Sequence, residues 1–210
     1  MNSPQALSAC LANHPWLAGV YVGSGGALLL LNPSGHAALR SEGRQSLLDH
    51  LHAHLAAHAI DPVRNLRLLD AMPTALDAAE IERLLQTPRP DRATLLAEHA
   101  QDGGWKLTLQ LPLELIHFDG HFPRAPVLPG VLQIAWALAL AAPRLGTSTH
   151  CREMEALKFQ HLLHPGDRVE LSLHFDAGQI AGEHGKLHFA YHLDGAHCSS
   201  GRLRVERAHD

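Results

Sequence analysis

His121 is the side chain in this sequence best equipped for acid–base work, because an imidazole titrates near neutral pH. It lies in His117-Phe118-Asp119-Gly120-His121-Phe122-Pro123-Arg124-Ala125-Pro126-Val127-Leu128-Pro129-Gly130. Pro123, Pro126 and Pro129 fix φ and forbid helix there, and Gly120 permits a sharp turn beside the imidazole. Val131 to Ala142 then runs apolar at every position except Gln133. That pattern predicts a buried helix of about 12 residues, far too short to span a bilayer, with Pro143 marking its end. The first amides of such a helix, from Gly130, have no intrahelical acceptor and lie at its positive pole. They can hold a carbonyl oxygen that gains negative charge, with the imidazole as base. The same residues also fit a capped core helix preceded by a histidine in solvent.

The elements that must position this loop come mostly from the second half of the chain. Trp105-Lys106-Leu107-Thr108-Leu109-Gln110-Leu111 alternates strictly and predicts a half-buried strand. Met154–Phe159, Val169–Phe175, Lys186–Leu193 and Ser199–Val205 add four strand-like runs, with turns at Pro165-Gly166-Asp167 and Asp194-Gly195. One strand, one apolar helix and a run of antiparallel strands make an α+β fold whose sheet has one apolar face for one helix.

The first half reads as a small α/β domain over residues 1–86. A short helix to about residue 14 precedes two strands, Val20–Val22 and Ala27–Leu31, joined by a glycine-rich turn. Asn32-Pro33-Ser34-Gly35 reads as a turn, and Ser41 as the cap of a helix from about Gly43 to Ala59. Leu66–Leu69 is a third strand and Ala75–Leu85 a last helix. Gly23, Gly25 and Gly26 precede no Lys-Ser/Thr, so they make a loose turn rather than a nucleotide loop. Thr87-Pro88-Arg89-Pro90-Asp91 opens a linker that Gln101-Asp102-Gly103-Gly104 closes, with one or two helical turns expected between them. The expected division is therefore 1–86, a linker over 87–104, and 105–210.

Composition narrows the function classes. Apolar residues make up 46% of the 210 and charged residues 18%, the balance of a packed protein. A net charge of −4 without a long basic run argues against nucleic acid as a partner. The start lacks a cationic region followed by an apolar core, so no signal peptide is expected. Cys10, Cys151 and Cys198 are odd in number and widely spaced, which favours reduced thiols in the cytoplasm and no zinc site. His50, His54 and His58 recur at four-residue spacing, but no Asp, Glu or Cys at ligand spacing accompanies them. An amphipathic helix edge beside Leu47, Leu48, Leu51 and Leu55, with His58 in the stripe, is the expected reading. No metal and no cofactor are expected.

Gly120-His121-Phe122-Pro123, Pro126 and Leu128-Pro129-Gly130-Val131-Leu132 together resemble the active-site segment of the hot-dog 3-hydroxyacyl-thioester (acyl-carrier-protein) dehydratases. In that fold a curved antiparallel sheet wraps one central helix. Gln133-Ile134-Ala135-Trp136-Ala137, Glu155-Ala156-Leu157-Lys158-Phe159-Gln160, Pro165-Gly166-Asp167 and Ser199-Ser200-Gly201-Arg202 resemble the aryl-polyene branch. The resemblance runs from about Gly104 to the C-terminus. More faintly, Gly43-Arg44, the Leu-rich helix, Pro62 and Leu68-Leu69-Asp70-Ala71-Met72-Pro73-Thr74 resemble the C-terminal lid of adenylate-forming acyl-CoA synthetases. Ala78 and Ala79 stand where that family carries a Gly-Lys, so adenylation chemistry is not expected and this half reads as accessory.

The resemblance implies a three-part reaction: His121 takes a proton from C2, the Gly130 amide steadies the enolate-like oxygen, and an acid protonates the leaving 3-hydroxyl. It places that acid fourteen residues after the histidine, at Ala135, and a methyl group cannot donate a proton. The implied readings are a weak dehydratase in which His121 makes both proton transfers or is helped by Gln133 or water, and a subunit whose partner lends the carboxylate. A hot-dog thioesterase and a non-catalytic acyl-carrier-binding module are the alternatives. Phe118, Phe122, Val127, Leu128 and Leu132 are expected to line an acyl tunnel. The implied substrate is an acyl-carrier-protein or CoA thioester of fatty-acid or aryl-polyene synthesis. The implied assembly is a homodimer, or a heterodimer with another hot-dog chain. Glu153 and Glu155 are the nearest substitute acids, and Arg124, Arg144, Arg152 and Lys158 the cations that an acidic carrier would meet.

Overall fold

The computed structural model describes residues 3–73, 76–101, 103–120, 122, 124–177 and 185–207. It divides into two compact units. One comprises Met1–Arg92 with Pro112–Val127, and the other Ala93–Leu111 with Leu128–Asp210.

The first unit contains α1 (Pro4–Ala12), β1 (Leu17–Val22), β2 (Gly26–Leu31), α2 (Pro33–Ala57), β3 (Asn65–Leu69) and α3 (Ala78–Gln86). β1 and β2 form the expected antiparallel hairpin, and β3 pairs parallel to β2. A parallel pair needs a crossover, and α2 supplies it. Leu11, Leu29, Leu47, Leu51, Leu55 and Leu66 bury one face of this sheet, while Leu28, Leu69 and Leu85 form a second cluster. Three expectations about α2 change here. Asn32 is not in a turn but caps α2: its side chain accepts the Gly35 N–H at 3.0 Å, and Pro33 occupies the first helical turn, where a missing N–H costs nothing. Ser41 caps nothing, since its hydroxyl donates back to Ala37 O at 2.9 Å within the helix. The helix breaks at Gly43, whose φ of 83° and ψ of 166° suit only glycine, and resumes at Arg44.

The second unit is a six-stranded sheet in the order β4-β5-β7-β8-β9-β6, with every neighbouring pair antiparallel. Its strands are β4 (Thr94–Gln101), β5 (Gly104–Gln110), β6 (Thr147–Phe159), β7 (Arg168–Asp176), β8 (Gly185–Leu193) and β9 (Ala196–Arg207). α4 (Gly130–Leu145) lies against β6 and β7. Alternation works as expected. Leu107, Leu109, Val169, Leu171, Leu173, Leu187, Phe189, Tyr191, Leu203 and Val205 are all buried, and the residues between them, apart from Ala190, are polar.

Three expectations give way in this unit. Residues 94–101, inside the stretch read as a linker with helical turns, are an exposed edge strand hydrogen-bonded to β5. α4 passes through Pro143, exposed near its end, and stops at Gly146 in the left-handed conformation. Nor is α4 buried all round, because Val131, Ala135 and Ala139, at four-residue spacing, form an exposed apolar stripe. No helix among the described residues is long and apolar enough to cross a membrane.

Candidate active site

Residues 112–127, which carry the candidate base, are tied to the first unit by charge and backbone bonds. Glu114 is 3% exposed. Its Oε1 accepts from Arg44 Nε at 2.9 Å and Nη2 at 2.8 Å, and its Oε2 from Arg67 Nε. Two guanidinium groups on one buried carboxylate offset the cost of taking it out of water. Asp70 Oδ1 accepts the Leu113 N–H at 2.6 Å, and the Leu113 side chain joins the leucine core around α2. Arg89 donates to Glu114 O at 3.0 Å and to Asp119 Oδ2 at 2.5 Å, and Ile116 N–H donates to Pro90 O at 3.0 Å. A 3-10 turn, Ile116–Phe118, completes this arm.

His121 and Pro123 lie outside the described residues. Between them Phe122 is 62% exposed at φ 57°, left-handed backbone that a bulky side chain seldom adopts. The positive φ therefore falls on Phe122 and not on Gly120, where the turn was expected. Phe118 and Val127 are buried, at 4% and 3% exposure.

In the second unit, Leu128 is buried and its N–H donates to Leu163 O at 2.7 Å. Pro129 O then receives the N–H groups of Leu132 and Gln133 as α4 opens. Gly130 begins the helix under the ring of Phe159. A Cβ at Gly130 would lie 2.7 Å from two ring carbons, so the aromatic cover of this helix end requires glycine. Leu132 is half-buried.

Gln133, expected beside substrate, is instead 4% exposed and well bonded. Its Nε2 donates to Leu128 O at 3.2 Å, its Oε1 accepts from Ser199 Oγ at 2.5 Å, and its carbonyl accepts from the Tyr191 hydroxyl at 2.9 Å. Burial pushes the Tyr191 phenol far above its ordinary pKa, so it stays a donor. Neither substitute acid is available in this unit. Glu153 pairs with Arg204 at 3.0 Å and Glu155 with Lys186 at 3.0 Å, and the bond to Lys186 holds the Glu155 carboxyl below its usual range. Two of the proposed carrier-facing cations are also paired, Arg144 with Glu98 and Arg152 with Glu206. A separate concavity of about 440 Å³ lies on the sheet, lined by Trp105, Lys158, His174, His188 and Arg202 among others.

Sequence reasoning quoted Arg44, Phe159 and Ser199 only as parts of family-like motifs, without these contacts, and gave Glu114, Arg67 and Tyr191 no part in the site. Glu114 left a signal as a lone acid in the apolar run Leu113-Glu114-Leu115.

An antiparallel sheet with one helix against it, preceded by the proline-rich loop of His121, is a hot-dog domain with a dehydratase-type motif. A family profile for ApeI-like proteins, described as ApeI dehydratase, matches residues 97–202, and the chain belongs to that family. A 3-hydroxyacyl-[acyl-carrier-protein] dehydratase FabZ of Rhizobium etli is 37% identical over 87 residues, 38% of this chain and 55% of the relative. The match thus spans little more than half of that relative's length. A FabZ of Anaeromyxobacter dehalogenans is 34% identical over 114 residues, 47% of this chain and 70% of its own length. A solved structure titled the dehydratase heterocomplex ApeI:P, from Xenorhabdus doucetiae, is 31% identical with a TM-score of 0.49, covering 55% of this chain and 99% of that one.

Proposed function

We propose that the chain is a subunit of a 3-hydroxyacyl-thioester dehydratase in which a partner hot-dog chain supplies the general acid. His121 removes the C2 proton, the amide of Gly130 steadies the thioester oxygen, and a carboxylate of the partner protonates the leaving 3-hydroxyl. The observation that carries this reading is Ala135, standing where the family places its acid while the rest of the motif is intact. Gln133 is a poor substitute, because its amide is spent on Leu128 and Ser199. Glu153 and Glu155 are held by cations. The stripe of Val131, Ala135 and Ala139 gives a second chain an apolar face to cover. The substrate is a thioester on acyl-carrier protein or CoA, from fatty-acid or aryl-polyene synthesis, with Phe118, Phe122, Val127, Leu128 and Leu132 beside its acyl chain.

The domain of residues 1–86 acts as an accessory, and its task is to hold the arm that leads into His121 through the contacts of Arg44, Arg67 and Asp70 to residues 113 and 114. The chain passes from it into the dehydratase-like unit at Ala93, one residue before β4 begins.

The test is turnover of a 3-hydroxyacyl-carrier thioester by the isolated chain and by the chain mixed with an acid-bearing hot-dog subunit. Alone, the chain should run about 10²–10⁴-fold below the pair, the usual worth of a positioned acid. Full activity alone would dismiss the shared site. Tight thioester binding without turnover in either sample would favour the binding module, and thiol release without enoyl product would favour a thioesterase.

A further inference from the structure

The histidines on α2 have a neighbour that their sequence spacing does not reveal. α1 packs against α2 and brings Cys10 to His54 and His58, so that one ligand atom from each lies within 4.8 Å of the other two. Cys10 is buried, His54 half-buried and His58 exposed. His58 falls outside the apolar stripe, because α2 ends at Ala57 and His58 is the capping residue.

Both imidazoles are already oriented. His58 Nδ1 faces His54 O at 2.8 Å and His54 Nε2 faces Cys10 O at 3.2 Å. A carbonyl only accepts, so each of these nitrogens carries the proton and the other nitrogen of each ring keeps its lone pair. A ring nitrogen fixed on a backbone carbonyl is the usual outer support of a metal-bound histidine. His14 is not a ligand: its Nδ1 accepts the Trp16 N–H at 3.2 Å, and its ring meets His54 edge-on at 4.9 Å.

We propose that Cys10, His54 and His58 bind one borderline-soft divalent cation of the zinc class. One thiolate and two imidazoles suit zinc better than magnesium or calcium, which prefer oxygen. Bonds of about 2.3 Å to sulfur and 2.0–2.1 Å to nitrogen require the three atoms to close by roughly an ångström. The exposed His58 at the helix end can make that movement. Binding expels the Cys10 thiol proton, so affinity falls as pH falls. The fourth tetrahedral position is left to water or to a further ligand.

The experiment loads the chelator-stripped full chain with Co²⁺, a coloured stand-in for Zn²⁺. One equivalent should bind with a thiolate-to-cobalt charge-transfer absorption that Zn²⁺ abolishes. Cys10→Ser should lose that band, and His58→Gln should weaken binding by at least about tenfold, since even outer-shell partners are worth ~10–100-fold. His50→Gln should change neither. The other histidines can hold cobalt, but without a sulfur band. Cobalt binding that lacks the band, or a band that survives Cys10→Ser, overturns the proposal. Should Cys10→Ser fail to fold, the exposed His58→Gln decides: unchanged affinity overturns the site.

Discussion

In the proposed reaction Ala135 decides how the rest of the site must work, because a methyl group moves no proton. Residue type pointed to His121 and to the Gly130 amide, and the resemblance to the dehydratases pointed to Ala135. They did not reveal that Gln133 is buried, since a lone amide in an apolar run reads equally as ligand or as core. Ser199→Ala should cost about 1–3 kcal/mol in chemical unfolding, because it leaves the Gln133 Oε1 buried without its donor. Gly130 was singled out for its amide, whereas the structure adds a steric reason in the ring of Phe159. Gly130→Ala should lower turnover, and Phe159→Ala in the same chain should recover part of it. Full activity of the single variant would show that the ring is not needed where it sits.

At the scale of elements, strict alternation betrayed β5, β7 and β8, whose inward residues are buried as the period-two pattern requires. β4 was hidden because Thr94–Gln101 lies almost wholly exposed at the sheet edge and so carries no apolar alternation. The break at Gly43 was read as a helix start, and the buried Glu114 between two arginines had no sequence precursor beyond its odd surroundings. Glu114→Ala leaves Arg44 and Arg67 without their shared anion. It should destabilise by about 3–5 kcal/mol in denaturant titration, with Glu114→Gln losing less. His14 gives an acid-side prediction. Its folded pKa is lowered by burial, so its contribution is present above the ordinary histidine value and is lost as pH falls through the lowered one. The melting temperature should therefore drop on mild acidification, and His14→Asn, which can still accept the Trp16 N–H, should drop less.

Over the whole chain, the sequence suggested two domains in succession joined by a linker. The fold interleaves them instead: residues 112–127 return to the first unit after β5 has been laid into the second. Local patterning cannot show such a return, because it rests on the long-range bonds of Asp70, Arg44 and Arg67 to residues 113 and 114. A chain begun at residue 93 should keep its antiparallel sheet by circular dichroism and yet turn over slowly, having lost what holds the arm before His121. Native turnover by that fragment would remove the accessory role. As proposed, this site lacks only its acid. The most direct measurement is the rate of enoyl-thioester formation by Ala135→Glu, and by Ala135→Glu combined with His121→Ala. A gain of about 10²–10⁴-fold that vanishes in the double variant is the predicted result. A rate indifferent to His121 would contradict it.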